Sequence, residues 1–108
     1  MSKRNINQQS TINPDMASVN ALKYKFITSM ELAGMGPKSR KRYLFSVERL
    51  IRHYWRSPAE LTEKQVHDYM LERYREDPAK TTFKLIHYAL RLFFRETLNR
   101  DWEIFKKK

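Results

Sequence analysis

Four side chains, Lys80, Lys84, His87 and Arg91, are spaced i, i+4, i+7 and i+11. On a helix turning about 100° per residue they form one narrow strip. All four are positive or can become so, no acidic residue interrupts them, and Arg95 lies at the edge of the strip. A second set, Lys38, Arg42, Arg49, Arg52 and Arg56, falls broadly opposite an apolar stripe in another segment, with Lys41 at its margin and Phe45 among the cations. Two such strips on neighbouring helices suit one chemistry, the tracking of phosphates that border a nucleic-acid groove. A merely solvated helix face would interleave Glu at i+4. Here the first of these strips shares its segment with Glu96 alone and the second with Glu48 alone.

Other chemistries lack their residues. There is no cysteine, which removes disulfide scaffolds, thiol nucleophiles and Cys-based zinc sites together and fits an intracellular protein. His53, His67 and His87 sit at no metal-ligand spacing. His67 and Asp68 are adjacent, and neighbouring helical residues point apart. No glycine-rich phosphate loop is present. The six tyrosines and two tryptophans fall mostly on or beside apolar faces, as core or capping residues with polar atoms at the rim. No nucleophile, base and oxyanion site gather in one pattern. The expectation is therefore no catalytic residue, no metal, no cofactor and no small-molecule ligand, and no enzymatic activity for this chain alone.

The charge distribution supports a polyanionic partner. Lys and Arg total 22 and Asp and Glu 12, a net +10 over 108 residues, with an isoelectric point near 10.0, the range expected of a nucleic-acid binder. Residues 1–37 carry a net +2, residues 38–56 +6, residues 60–77 −3 and residues 80–108 +5. Solubility alone gives no reason for that sorting. No apolar run approaches the roughly 20 residues that span a bilayer, and the polar N-terminus is no signal peptide.

The elements that must position these strips are helices. Two glycines and four prolines leave few turns for a chain that is 41% hydrophobic. Residues 1–14 read as a disordered tail closed by Pro14. A first helix is predicted from Asp15, its cap, to Ala33, with Val19, Leu22, Phe26, Met30 and Ala33 on one face and Gly34 as a left-handed C-terminal cap. A second is predicted over 37–55, with Tyr43, Leu44, Val47, Leu50, Ile51 and Tyr54 as its apolar stripe, ended by Ser57-Pro58. A third starts at the capping box Thr62-Glu63-Lys64-Gln65 and buries Val66, Tyr69, Met70 and Tyr74. Asp77-Pro78 breaks it and offers a cap to a fourth, predicted over 79–98 and apolar over most of its circumference, hence central. A short segment from Trp102 to Phe105 packs back before Lys106-Lys107-Lys108. The fold class is all-α, a compact four- to five-helix bundle, with one domain over 15–105 and a basic tail over 106–108.

The order of several motifs resembles the N-terminal core-binding (SAM-like) domain of tyrosine recombinases, the phage-integrase family. Gly36-Pro37-Lys38-Ser39-Arg40-Lys41-Arg42-Tyr43 resembles the family's S-x-x-T-x-x-x-Y opening of the second helix. Ser57-Pro58-Ala59-Glu60-Leu61-Thr62, with Val66 and Tyr69, is similar to L-T-x-x-x-I-x-x-Y. Thr81-Thr82 followed by Ala89-Leu90-Arg91-Leu92-Phe93-Phe94-Arg95-Glu96 is similar to the family's S-x-x-T and A-L-R-x-F-Y-R run. The resemblance covers residues 19–105 and is nearest to integron-type and related bacterial or phage integrases.

This resemblance implies half of a clamp around duplex DNA, with the second and fourth helices facing the major groove. By position, Lys38, Ser39, Lys41, Arg42, Lys80, Thr81, Thr82, Lys84, His87 and Arg91 would meet DNA, joined by Arg49 and Arg52 from the cationic face. Lys and Arg would hold phosphates, and Ser39, Thr81, Lys84 and His87 would reach bases or sugars. The family's catalytic residues belong to a following domain that is absent here, so no tyrosine of this chain takes the nucleophile's role. The implied partners are double-stranded DNA and other recombinase protomers assembled on it, in a cytoplasmic, nucleoid-associated protein without membrane contact. Two alternatives make different demands. Another helical DNA-binding regulator needs a tight helix-turn-helix, for which 57–61 is long. A protein-interaction or membrane-surface bundle needs a large exposed apolar patch, in which Phe45 and Phe94 would lie.

Overall fold

The structure, a computed structural model, describes residues 15–77 and 79–106. The tail expected over 1–14 and the last two lysines lie outside the described residues. Helix α1 spans Met16–Leu32. It starts where predicted because the Asp15 carboxylate accepts from the N–H groups of Ala17 at 3.2 Å and Ser18 at 3.4 Å, satisfying donors that have no partner inside the helix. Gly34, at φ +81°, turns the chain out of α1 in the left-handed conformation that glycine adopts at little cost. Ala33 falls past the last helical turn and is exposed rather than on the buried face.

Helix α2 spans Pro37–Tyr54, with proline in the first turn and Trp55 in the left-handed conformation closing it. Arg56 therefore leaves the helix, and its place on the cationic face is no longer set by helical spacing. A short 3-10 turn, Pro58–Glu60, leads to α3, Glu63–Glu76. The capping box is formed: Gln65 N–H donates to the Thr62 hydroxyl at 3.1 Å, and Thr62 N–H donates to Gln65 Oε1 at 2.9 Å. Helix α4 spans Thr81–Leu92. Asp77 caps it across the break, with Oδ2 accepting from Phe83 N–H at 2.9 Å.

The expected fourth helix over 79–98 is shortened at both ends. Lys80 sits at φ 62°, so regular helix starts only at Thr81. Beyond Leu92 the backbone widens into a π-helical turn, Phe93–Thr97. Adjacent residues of an α-helix point about 100° apart, yet Phe93 and Phe94 are both fully buried. The widened turn brings both rings inward. Phe94 is thus a core residue and not part of an exposed apolar patch, whereas Phe45 remains 52% exposed.

Helix α4 packs against α2 and α3, and α1 packs against α2 and the π-helical turn. Phe26, Val47, Leu50, Val66, Leu90 and Phe93 form the dry centre, each such side chain contributing about 1.5–3 kcal/mol on burial. Phe26 meets Phe93 edge to face at 5.2 Å. A last 3-10 turn, Glu103–Phe105, folds back onto the bundle. Phe105 stacks near Trp102 and Phe94, at 6.3 and 6.0 Å. Glu63 accepts from Ile104 N–H at 3.1 Å, and Arg100 donates to the carbonyls of Ala59 and Leu61. No described residue is in a strand, and the architecture is an all-α bundle of four helices. No described helix is long and apolar enough to cross a membrane.

Candidate nucleic-acid interface

The two predicted strips meet different fates. On α2 the apolar residues Val47, Leu50 and Ile51 point inward, which leaves Lys38, Lys41, Arg42 and Arg52 exposed and Arg49 partly buried. Ser39, in the first turn, is exposed as well. Among the described residues none of these five cations is paired with a carboxylate. The other charges of α2 are spoken for. Arg40 donates to the Met35 carbonyl at 2.7 Å and lies 4.0 Å from Glu31. Glu48, the helix's sole acid, pairs with Lys23 of α1 at 3.1 Å. His53 lies against Tyr54 and Tyr69, 3.9 Å from Glu72 of α3. Phe45 is exposed among the unpaired cations, with the Arg52 guanidinium 5.7 Å from its ring centre.

The α4 strip opens onto a groove of about 720 Å³ between α4, α3 and the C-terminal turn. Lys84, His87 and Arg91 line it with His67, Glu103 and Lys106, the last paired with Asp101 at 3.2 Å and Glu103 at 3.7 Å, and Met70, Phe83 and Phe105 lie among the lining. Lys84 and Arg91 are exposed and unpaired among the described residues. His87 is half-buried against the rings of Phe83, Tyr88 and Phe105. Burial, and then the charge of Arg91, holds its imidazole below the ordinary histidine range, so at neutral pH it offers one donor and one acceptor rather than a charge. Thr81 and Thr82 stand exposed in the first turn of α4.

Lys80 departs from the strip. Its ammonium donates to the Tyr74 carbonyl at 2.6 Å and sits 3.8 Å over the Tyr74 ring. It closes the end of α3, and Tyr74, expected in the core, is 44% exposed beneath it. None of the α2 cations lines the α4 groove. The structure thus brings Lys84, His87 and Arg91 together, and the α2 set lies outside this groove. Sequence reasoning missed His67 and Lys106 as members of the groove. They come from other elements, and no spacing within the sequence connects them to α4. His67 also lies 3.5 Å from Asp68, so this adjacent pair does not diverge as expected. Three of the six tyrosines, Tyr24, Tyr74 and Tyr88, are exposed, fewer core positions than the apolar pattern implied.

Residues 22–104 match the family profile described as phage integrase, N-terminal SAM-like domain. No curated protein and no solved structure shows significant similarity to the chain. The profile spans nearly the whole helical bundle, both cationic faces included, and the chain belongs to this family of tyrosine-recombinase N-terminal domains.

Proposed function

We propose that this integrase-family domain binds double-stranded DNA and forms one half of a clamp that works with a recombinase catalytic domain. The observation that carries the reading is the α2 face. Five cations, Lys38, Lys41, Arg42, Arg49 and Arg52, stand on one helix without a carboxylate partner among the described residues, while the neighbouring acids are already paired elsewhere. Unpaired cations gain most from phosphate, because nothing has to be broken and counterions are released. Lys84 and Arg91 extend the charge along α4. Ser39, Thr81 and Thr82 offer hydroxyls to sugars or bases, and neutral His87 offers a hydrogen bond. The order and spacing of the motifs from Gly36 to Glu96, taken together, support an integron-type affinity within the family. Assembly of several protomers on DNA and an intracellular, nucleoid-associated location belong to the same proposal.

The test is a titration of isotope-labelled protein with a short duplex at two salt concentrations. Contact with about six phosphates gives a log–log salt slope near −5. Shifts should centre on Lys38–Arg42, Arg49, Arg52 and Lys84–Arg91. Changing Arg42 or Arg52 to Ala should weaken all sequences alike and flatten the slope by about 0.9 for each phosphate released. Silence of α2 and α4 at low salt, or a response confined to α1 and α3, sinks the proposal.

A further inference from the structure

Phe45 takes no part in the hydrophobic core. It lies on the side of α2 opposite Val47, Leu50 and Ile51, is 52% exposed, and touches no core residue's ring among the described residues. An aromatic ring held in water among cations forgoes the apolar burial it would gain elsewhere. Its surroundings say what would cover it. Lys38 and Arg52 each lie seven residues from Phe45, with Arg42 and Arg49 three and four residues away. At a rise of 1.5 Å per residue the backbone positions of the outer pair lie roughly 10 Å along the helix axis to either side of Phe45, and the Arg52 side chain reaches back to 5.7 Å from the ring centre.

A helix whose exposed face carries cations on both sides of one apolar residue suits one groove of duplex DNA. The major groove of B-DNA is about 12 Å wide and admits a helix, whereas the minor groove, about 6 Å wide, does not. If the cations of α2 hold phosphates at the groove's borders, the residue midway between them is aimed at its floor. A phenylalanine there has no donor or acceptor with which to read a base edge. The apolar feature on that floor is the C5 methyl group of thymine.

We propose that Phe45 is a specificity-determining contact of this domain, packing on thymine methyl groups in the major groove while the flanking cations hold the backbone. The inference rests on the DNA-binding reading above. It assigns to one residue a task the cations cannot perform, since phosphate contacts are blind to sequence. The Arg52 guanidinium, 5.7 Å from the ring centre, limits the ring's freedom before DNA arrives.

The experiment compares binding to alternating dA-dT and dA-dU duplexes of equal length by fluorescence anisotropy. The two have the same charge and pairing and differ in the methyl group. The wild-type domain should prefer dA-dT by about fourfold, the effect of burying one methyl-sized group. Phe45→Ala should lose more affinity for dA-dT than for dA-dU, so that the preference disappears, and should keep the salt slope. Because Phe45 is exposed, the variant's circular dichroism spectrum and melting should stay unchanged. Equal wild-type affinity for both duplexes overturns the role of Phe45 and leaves the clamp standing. A preference that survives in Phe45→Ala, or an equal drop in affinity for both duplexes, overturns it likewise. Failure of the wild type to bind either duplex at low salt overturns DNA binding itself, and this inference with it.

Discussion

His87 illustrates how one residue can belong to a cationic strip and yet carry no charge. Its ring lies among Phe83, Tyr88 and Phe105, and burial, then Arg91, lowers its proton affinity. The unfolded chain takes up a proton near pH 6.5, where the folded chain does not. Stability from this residue is therefore complete above about pH 6.5 and declines as the pH falls toward the depressed folded value. Urea unfolding at about pH 7.5 and pH 5 should show a smaller loss of stability for His87→Gln than for the wild type. Equal losses would mean that His87 does not feel the aromatic groove. Sequence spacing puts His87 on the right strip, because i, i+4 and i+7 neighbours share a face on any helix. It carries no sign that the strip borders an aromatic wall, since Phe105 is 18 residues further on.

Among the elements, helix starts are the most legible features. Asp15, Thr62 and Asp77 cap three helices through side-chain contacts with residues two to six positions away, and such local signals need no tertiary context. Thr62→Ala should cost about 1 kcal/mol and lower the melting temperature by roughly 4–8 °C, whereas Thr62→Ser should keep most of the cap. A cost much below about 0.5 kcal/mol would show that packing alone sets the start of α3. The Asp77 carboxyl is held below the usual range first by Phe83 N–H, so that cap persists as the pH falls to the ordinary carboxylate range and fails below it. The end of α4 is less legible. The expected helix over 79–98 gives way to the widened turn Phe93–Thr97, because burying Phe93 and Phe94 together matters more than regular α-helical hydrogen bonding. No periodicity signals that exchange in advance.

Across the bundle as a whole, the C-terminal turn completes the packing. Arg100 reaches the carbonyls of Ala59 and Leu61, and Glu63 holds Ile104 N–H, contacts between residues 39 to 41 positions apart. Arg100 also lies 5.6 Å from the centre of the Trp102 ring. Arg100→Ala leaves two partly buried carbonyls without this partner and should cost about 1–3 kcal/mol, with faster hydrogen exchange at Phe105 and Lys106. Arg95→Ala, which removes an exposed pair with the adjacent Glu96, should change stability by less than about 0.5 kcal/mol. Similar effects for the two variants would show that the turn is not anchored through Arg100.

Local sequence is enough to set the helical class, the caps, the central apolar helix and the sorting of charge into two basic helices and one acidic one, because each depends on residues three to eleven positions apart. Which cations share a surface is settled by packing instead. Packing joins Lys84, His87 and Arg91 to His67 and Lys106 in one groove and leaves the α2 cations and Phe45 outside it. Those outcomes follow from how α3, α4 and the C-terminal turn close around Phe83, Phe94 and Phe105, where contacts form between residues distant in the chain and local spacing carries no information about them.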